Sequence, residues 1–180
     1  MTLAGKISLT LLSLFFVLPA FGQTIPNSAK TKKDSTVTIV KRAKTADDIA
    51  YEKQYEKNIL KTRIDGIYIP KDLYDSFEQL KRLMGPETTA EYQALSEERA
   101  GKKLYLVMWI ANNWNFRSGS RLSHNIRSLG ITYPENMAHF VMICFHRHLN
   151  NKELDLKERV AFYKEKEKIA AEKNKKRSEE

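Results

Sequence analysis

Leu73, Phe77, Leu80 and Leu83 or Met84 follow one another at spacings of three and four residues, so one face of a helix carries them all. Pro70 suits the first turn of that helix, and Gly85 with Pro86 stops it. Comparable segments with their own start and stop signals follow, and no pair of strand-like runs reads as a hairpin. This pattern predicts an all-α fold, a small single-domain helical bundle of about five or six helices.

A second, less apolar helix is expected over 87–98. Lys102 to Phe116 has apolar residues on all sides, the pattern of a central helix buried on most of its surface. Ser120 is placed to cap a helix running to Leu129, with Gly130 ending it. Pro134 opens another helix to about Leu149, and Asp155 with Glu158 has the spacing of a capping arrangement for the last.

The N-terminal end reads as a targeting segment. Lys6 precedes the apolar run Ile7 to Leu18, Pro19 breaks it, and Ala20 and Gly22 supply small residues before a cleavage point near Gly22 and Gln23. A membrane span needs roughly 20 apolar residues, more than this run offers. The expectation is an exported chain, periplasmic or secreted, with no stable membrane span after cleavage. Residues 1–22 are then a signal peptide and 23–44 a flexible basic linker, too poor in apolar residues to offset the entropy of ordering. A helical lead-in follows over 45–65, with Thr45 and Asp48 at its start, then a folded helical domain over 66–163 and a charged, solvated helical tail over 164–180.

The chain carries a formal net charge of +9, but 66–163 holds 13 basic against 11 acidic residues. Nucleic-acid binding proteins concentrate lysine and arginine on a folded face, so no nucleic-acid partner is expected. Cys144 is the only cysteine, which leaves no intrachain disulfide to brace the fold.

Few residues suggest chemistry. His139 and His146 share a helix face but stand about 10 Å apart along the axis, too far to chelate one ion by themselves. Cys144 and His148 are neighbours at a four-residue spacing, yet they fall on the apolar side of their helix and far from its N-terminus, which favours a core thiol over a reactive one. No catalytic residue, metal or cofactor is expected.

"MWIANNWNFRSGSR", Met108 to Arg121, is the remaining candidate. Its amides sit among aromatic rings, and an unpaired buried amide costs about 1–3 kcal/mol. Either Asn112 and Asn113 bond backbone groups and lock a corner between two helices, or Asn112, Asn113, Trp114, Arg117, Ser118, Ser120 and Arg121 face a groove and bind a polar or anionic ligand. The corner is the preferred reading.

"IPKDL", "MWIANNW", "SGSRL", "LGITYPENM" and "FHRHLNNKELDLKERVAFY", in that order, resemble a bacterial family known as domain of unknown function 6794, over about Ile69 to Tyr163. Ala111 stands where that pattern usually has arginine, and Glu135-Asn136 where it has two aspartates. The family supplies no activity to transfer. The resulting expectation is a non-catalytic interaction module of the cell envelope, engaging an envelope or extracellular protein or polymer, with a small-ligand or enzymatic site at the Asn112 to Arg121 corner as the alternative.

Overall fold

The computed structural model describes residues 43–179. The expected signal peptide, and the linker apart from Ala43 and Lys44, lie outside the described residues. Within them the order is α1 (Ala46–Asn58), β1 (Arg63–Ile64), β2 (Ile67–Tyr68), α2 (Leu73–Gln93), α3 (Glu97–Gly101), α4 (Leu104–Asn113), α5 (Arg121–Ser128), α6 (Pro134–Leu149) and α7 (Leu156–Glu179). The fold is helical as expected, with seven helices among the described residues rather than five or six.

α6 is the central element. Pro134 occupies its first turn, every residue from Phe140 to His146 is buried, and α2, α3, α4 and α5 all pack against it. Phe77 and Leu80 from α2, Ile110 from α4, Trp114 and Phe116 from the following loop, and Leu122 and Ile126 from α5 complete one core. Removing these rings and aliphatic groups from water drives the assembly at about 25 cal/mol per Å² of apolar surface.

α4 was expected to be that central helix and is not. Leu106, Val107, Ile110 and Ala111 are buried, whereas Leu104 and Tyr105 are 68% and 66% exposed and Met108 and Trp109 are also exposed. Apolar composition on all sides cannot distinguish a helix enclosed by neighbours from one that packs on a single side. Here only one side meets the core.

A hairpin that was not expected precedes α2. Asp65 and Gly66 take φ of 49° and 80°, the paired left-handed conformation of a type I′ turn, and Arg63 and Ile64 pair with Tyr68 and Ile67. Asp-Gly is itself a strong hairpin signal, but each strand is only two residues long, too short for its apolar alternation to register. The hairpin divides the expected helical lead-in: α1 ends at Asn58, and the remainder is turn and strand.

α2 begins at Leu73 rather than Pro70, because the Asp72 side chain accepts the Asp75 N–H at 2.9 Å and so caps the first turn. Gly85, at φ 73°, breaks the helix as expected, and Pro86 restarts it. The expected helix over 87–98 is two pieces, since Ser96 caps α3 separately through the Arg99 N–H.

Asp155 does not cap α7. It sits at φ 48° and its carboxylate pairs with Arg147 of α6, an arginine eight residues away that outcompetes the local backbone. α7 also stays docked beyond Tyr163, because Glu167 is buried. The solvated tail therefore starts later than residue 164.

Candidate functional site

The loop between α4 and α5 turns the chain through Asn115 (φ 53°) and Gly119 (φ 87°), and the side chains around it are held largely from within. Asn113 donates to the Trp109 carbonyl one turn back on its own helix at 2.9 Å, so its amide is paired within α4. Asn115 donates to the Gly119 carbonyl at 2.9 Å and closes the loop. Ser120 and Ser123 cap α5 reciprocally: the Ser120 hydroxyl accepts the Ser123 N–H at 3.3 Å, and the Ser123 hydroxyl accepts the Ser120 N–H at 2.8 Å.

Of the residues read as a possible binding groove, Trp114 is fully buried and packs edge-on to Trp109. Arg121 donates from Nε to the Ile69 carbonyl at 2.8 Å and lies over the Tyr68 ring, pinning α5 to the hairpin. Arg117 pairs with Glu135 at the start of α6. Asn112 and Ser118 are exposed, and among the described residues their side chains make no hydrogen bond. The structure thus brings these residues to one corner but aims several of them inward.

α1 covers part of the same corner. The Tyr51 hydroxyl donates to the Arg117 carbonyl at 3.2 Å, Asn58 donates to the Ser118 carbonyl at 3.3 Å, and the Tyr55 hydroxyl meets His124 Nδ1 at 3.0 Å. Tyr55 reaches so close to Gly119 that a Cβ there would stand 2.1 Å from its ring. Glycine is required both for the positive φ and for the space.

A separate cavity of about 530 Å³ lies among α3, α6 and α7, with His139, Arg159 and Tyr163 in its wall. His139 Nε2 faces the Gly101 carbonyl at 2.9 Å, so it must be the protonated nitrogen, and Nδ1 accepts the Tyr163 hydroxyl at 2.5 Å. Burial pushes the His139 pKa down and that of Tyr163 up, so both stay neutral at pH 7. Both imidazole nitrogens are engaged, which leaves the ring no lone pair for proton transfer to a ligand. Beside it Glu97 accepts from Arg147 at 2.9 Å and from Arg159 at 2.5 Å, a clamp across α3, α6 and α7. Burial raises the Glu97 pKa, but the two guanidinium groups outweigh that and hold it below the usual range.

The other titratable candidates lie in the core or against it. Cys144 is fully buried and burial pushes its thiol up to about 12, far from the thiolate range. His146 is buried and bonded to the Leu95 carbonyl at 2.9 Å, and His148 stacks on Phe77.

The model of a family described as Domain of unknown function (DUF6794) matches residues 69–149. Over residues 69–149 the chain is similar to this family. The matched segment spans α2 to α6, the helices that share the core, together with the corner loop. α7, which the sequence resemblance included as far as Tyr163, lies beyond the match, as do α1 and the hairpin. No curated protein and no solved structure matches the chain.

What sequence reasoning missed is the open side of α4. Leu104, Tyr105, Met108 and Trp109 recur at the one- and four-residue steps of a single helix face, and only tertiary packing reveals that this face stays in solvent. Among the described residues, no helix is long and apolar enough to cross a membrane.

Proposed function

We propose that this chain is an exported, non-catalytic interaction module, and that the open face of α4 is its contact surface for another envelope or extracellular protein. One observation carries this reading: a ten-residue helix presents Leu104, Tyr105, Met108 and Trp109 together to solvent while its opposite face is buried in the core. Contiguous apolar surface on a soluble domain marks interaction sites, and aromatic residues and methionine are enriched at protein interfaces. The side chains stand on the outer ridge of a helix, a shape that suits a protein surface better than a small ligand, which needs concavity. The export part rests on Lys6, the run Ile7 to Leu18 and the small residues before Gln23.

A second reading, a small polar or anionic ligand at the Asn112 to Arg121 corner, draws support from Asn112 and Ser118, whose side chains remain open. Native co-purification of the tagged mature protein after crosslinking in the cell envelope separates the two. A recurrent stoichiometric protein partner, lost in Tyr105→Ser/Met108→Ser, supports the first. Recovery of the protein alone, with a bound small molecule, overturns it.

A further inference from the structure

Beyond α4, a groove of about 800 Å³ runs along α7 beside the end of α5. Leu129, Leu156 and Val160 line it, and Leu129 and Leu156 are 42% and 41% exposed. Lys157, Lys164 and Lys168 line it too. At about 100° per residue, the three lysines fall within an arc of roughly 40° on α7, with Val160 and Leu156 on the adjoining arc. The rise per residue spaces their attachment points by about 10 and 6 Å along the helix. Lys164 lies across Gly130, whose Cβ position would stand 3.0 Å from the lysine Cδ and 3.4 Å from its Nζ, while the residue as a whole stays exposed. The acid Glu165 also lines the groove, on the side of the lysine row away from Leu156 and Val160, and its contact with Lys168 is a loose 4.0 Å, so three lysines face one acid there.

We infer that this groove docks an amphipathic helix of a partner protein, one whose apolar stripe is flanked on a single side by acidic residues. Charge complementarity selects that occupant. A fatty acid has one charge, at one end, and would leave most of a row about 16 Å long unpaired. A nucleic-acid backbone would meet the lysines but has no apolar stripe to cover Leu129 and Leu156. A helix with leucines at three- and four-residue spacing and glutamates beside them satisfies both features. This surface is separate from the α4 face, so either proposal can fail alone.

The test uses the full chain and a fluorescein-labelled synthetic peptide of about four helical turns, with a leucine stripe and glutamates along one flank. Anisotropy at low salt is expected to show saturable binding that weakens about tenfold at high salt. The charge reversal K157E/K164E/K168E should weaken it by about tenfold with an unchanged melting temperature, and a peptide carrying lysines in place of its glutamates should bind that variant. Leu156→Gln should weaken both pairings. Absence of saturable binding, indifference to charge reversal and salt, equal binding of a scrambled peptide, or displacement by a medium-chain fatty acid would each overturn the inference.

Discussion

The carboxylate of Glu167 in α7 accepts the backbone N–H of Tyr133, the capping residue just before α6, at 3.0 Å. It also accepts the Thr132 N–H at 2.9 Å, the Thr132 hydroxyl at 2.6 Å and the Asn136 amide at 3.1 Å. Tyr133 has no side chain that can cap, so an acid more than thirty residues away performs that role and complements the positive end of the central helix. Glu167→Ala should therefore cost about 2–3 kcal/mol of stability in denaturant unfolding, with Glu167→Gln intermediate because an amide oxygen still accepts. A loss no larger than that of an exposed alanine substitution would show that Glu167 is not the cap.

Acid should weaken the fold in two steps. Burial lowers the His139 pKa from 6.5, so the unfolded chain takes up that proton first; its contribution is fully present above about pH 6.5 and declines as pH falls toward the depressed folded value. Burial alone would raise the Glu167 pKa, but the bonds from Thr132, Tyr133 and Asn136 outweigh it and leave it below 4.5. The stability this gives is present above that value and disappears as pH falls through the folded pKa. Melting temperatures across pH should fall in both windows, and His139→Gln should flatten the upper one. An unaltered profile in that variant would contradict the assignment.

Gly119→Ala should release α1. The substitution places a Cβ against Tyr55 and puts alanine at φ 87°, which costs about 1–2 kcal/mol in backbone strain alone. Limited proteolysis between α1 and α2 should accelerate, and adding Tyr55→Ala should remove the clash without restoring the contact. Protection equal to wild type would mean that α1 is held by something other than this corner.

Cys144 should resist iodoacetamide in the native protein at neutral pH and react only as the chain unfolds, since it is buried and its thiol titrates at about 12. Mass spectrometry of the alkylated protein with and without denaturant measures this. Labelling of the folded protein at the rate of a free thiolate would place Cys144 in an accessible site.

Local chemistry was legible in the sequence. Gly85-Pro86, Ser120, Gly130 and Pro134 each act within a few residues of themselves; the helix limits implied by the last three correspond closely to α5 and α6, and Gly85-Pro86 marks the break inside α2. The need for Asn113 to find a partner was also readable, because an i−4 carbonyl is always within reach of a helical amide. Long-range competition was not readable. Asp155 has the spacing of a cap, yet Arg147 takes its carboxylate; Glu167 sits in a run of lysines that reads as solvated, yet it crosses to α6. The corner's cover is equally distant, since Tyr51 and Asn58 reach it from about sixty residues upstream. The exposure of Tyr105 and Trp109 was hidden for the complementary reason: one-sided packing leaves no trace in a helix that is apolar on both sides.

The most direct test of the interaction proposal is a photocrosslinking amino acid at position 105, on the open face of α4, in the full chain expressed in its native cells. The account predicts one recurrent protein adduct that disappears when Met108 is changed to Ser and persists when the crosslinker-bearing chain carries Glu78→Ala, an exposed change on α2. Adducts that are absent, or diffuse and indifferent to Met108→Ser, would contradict it.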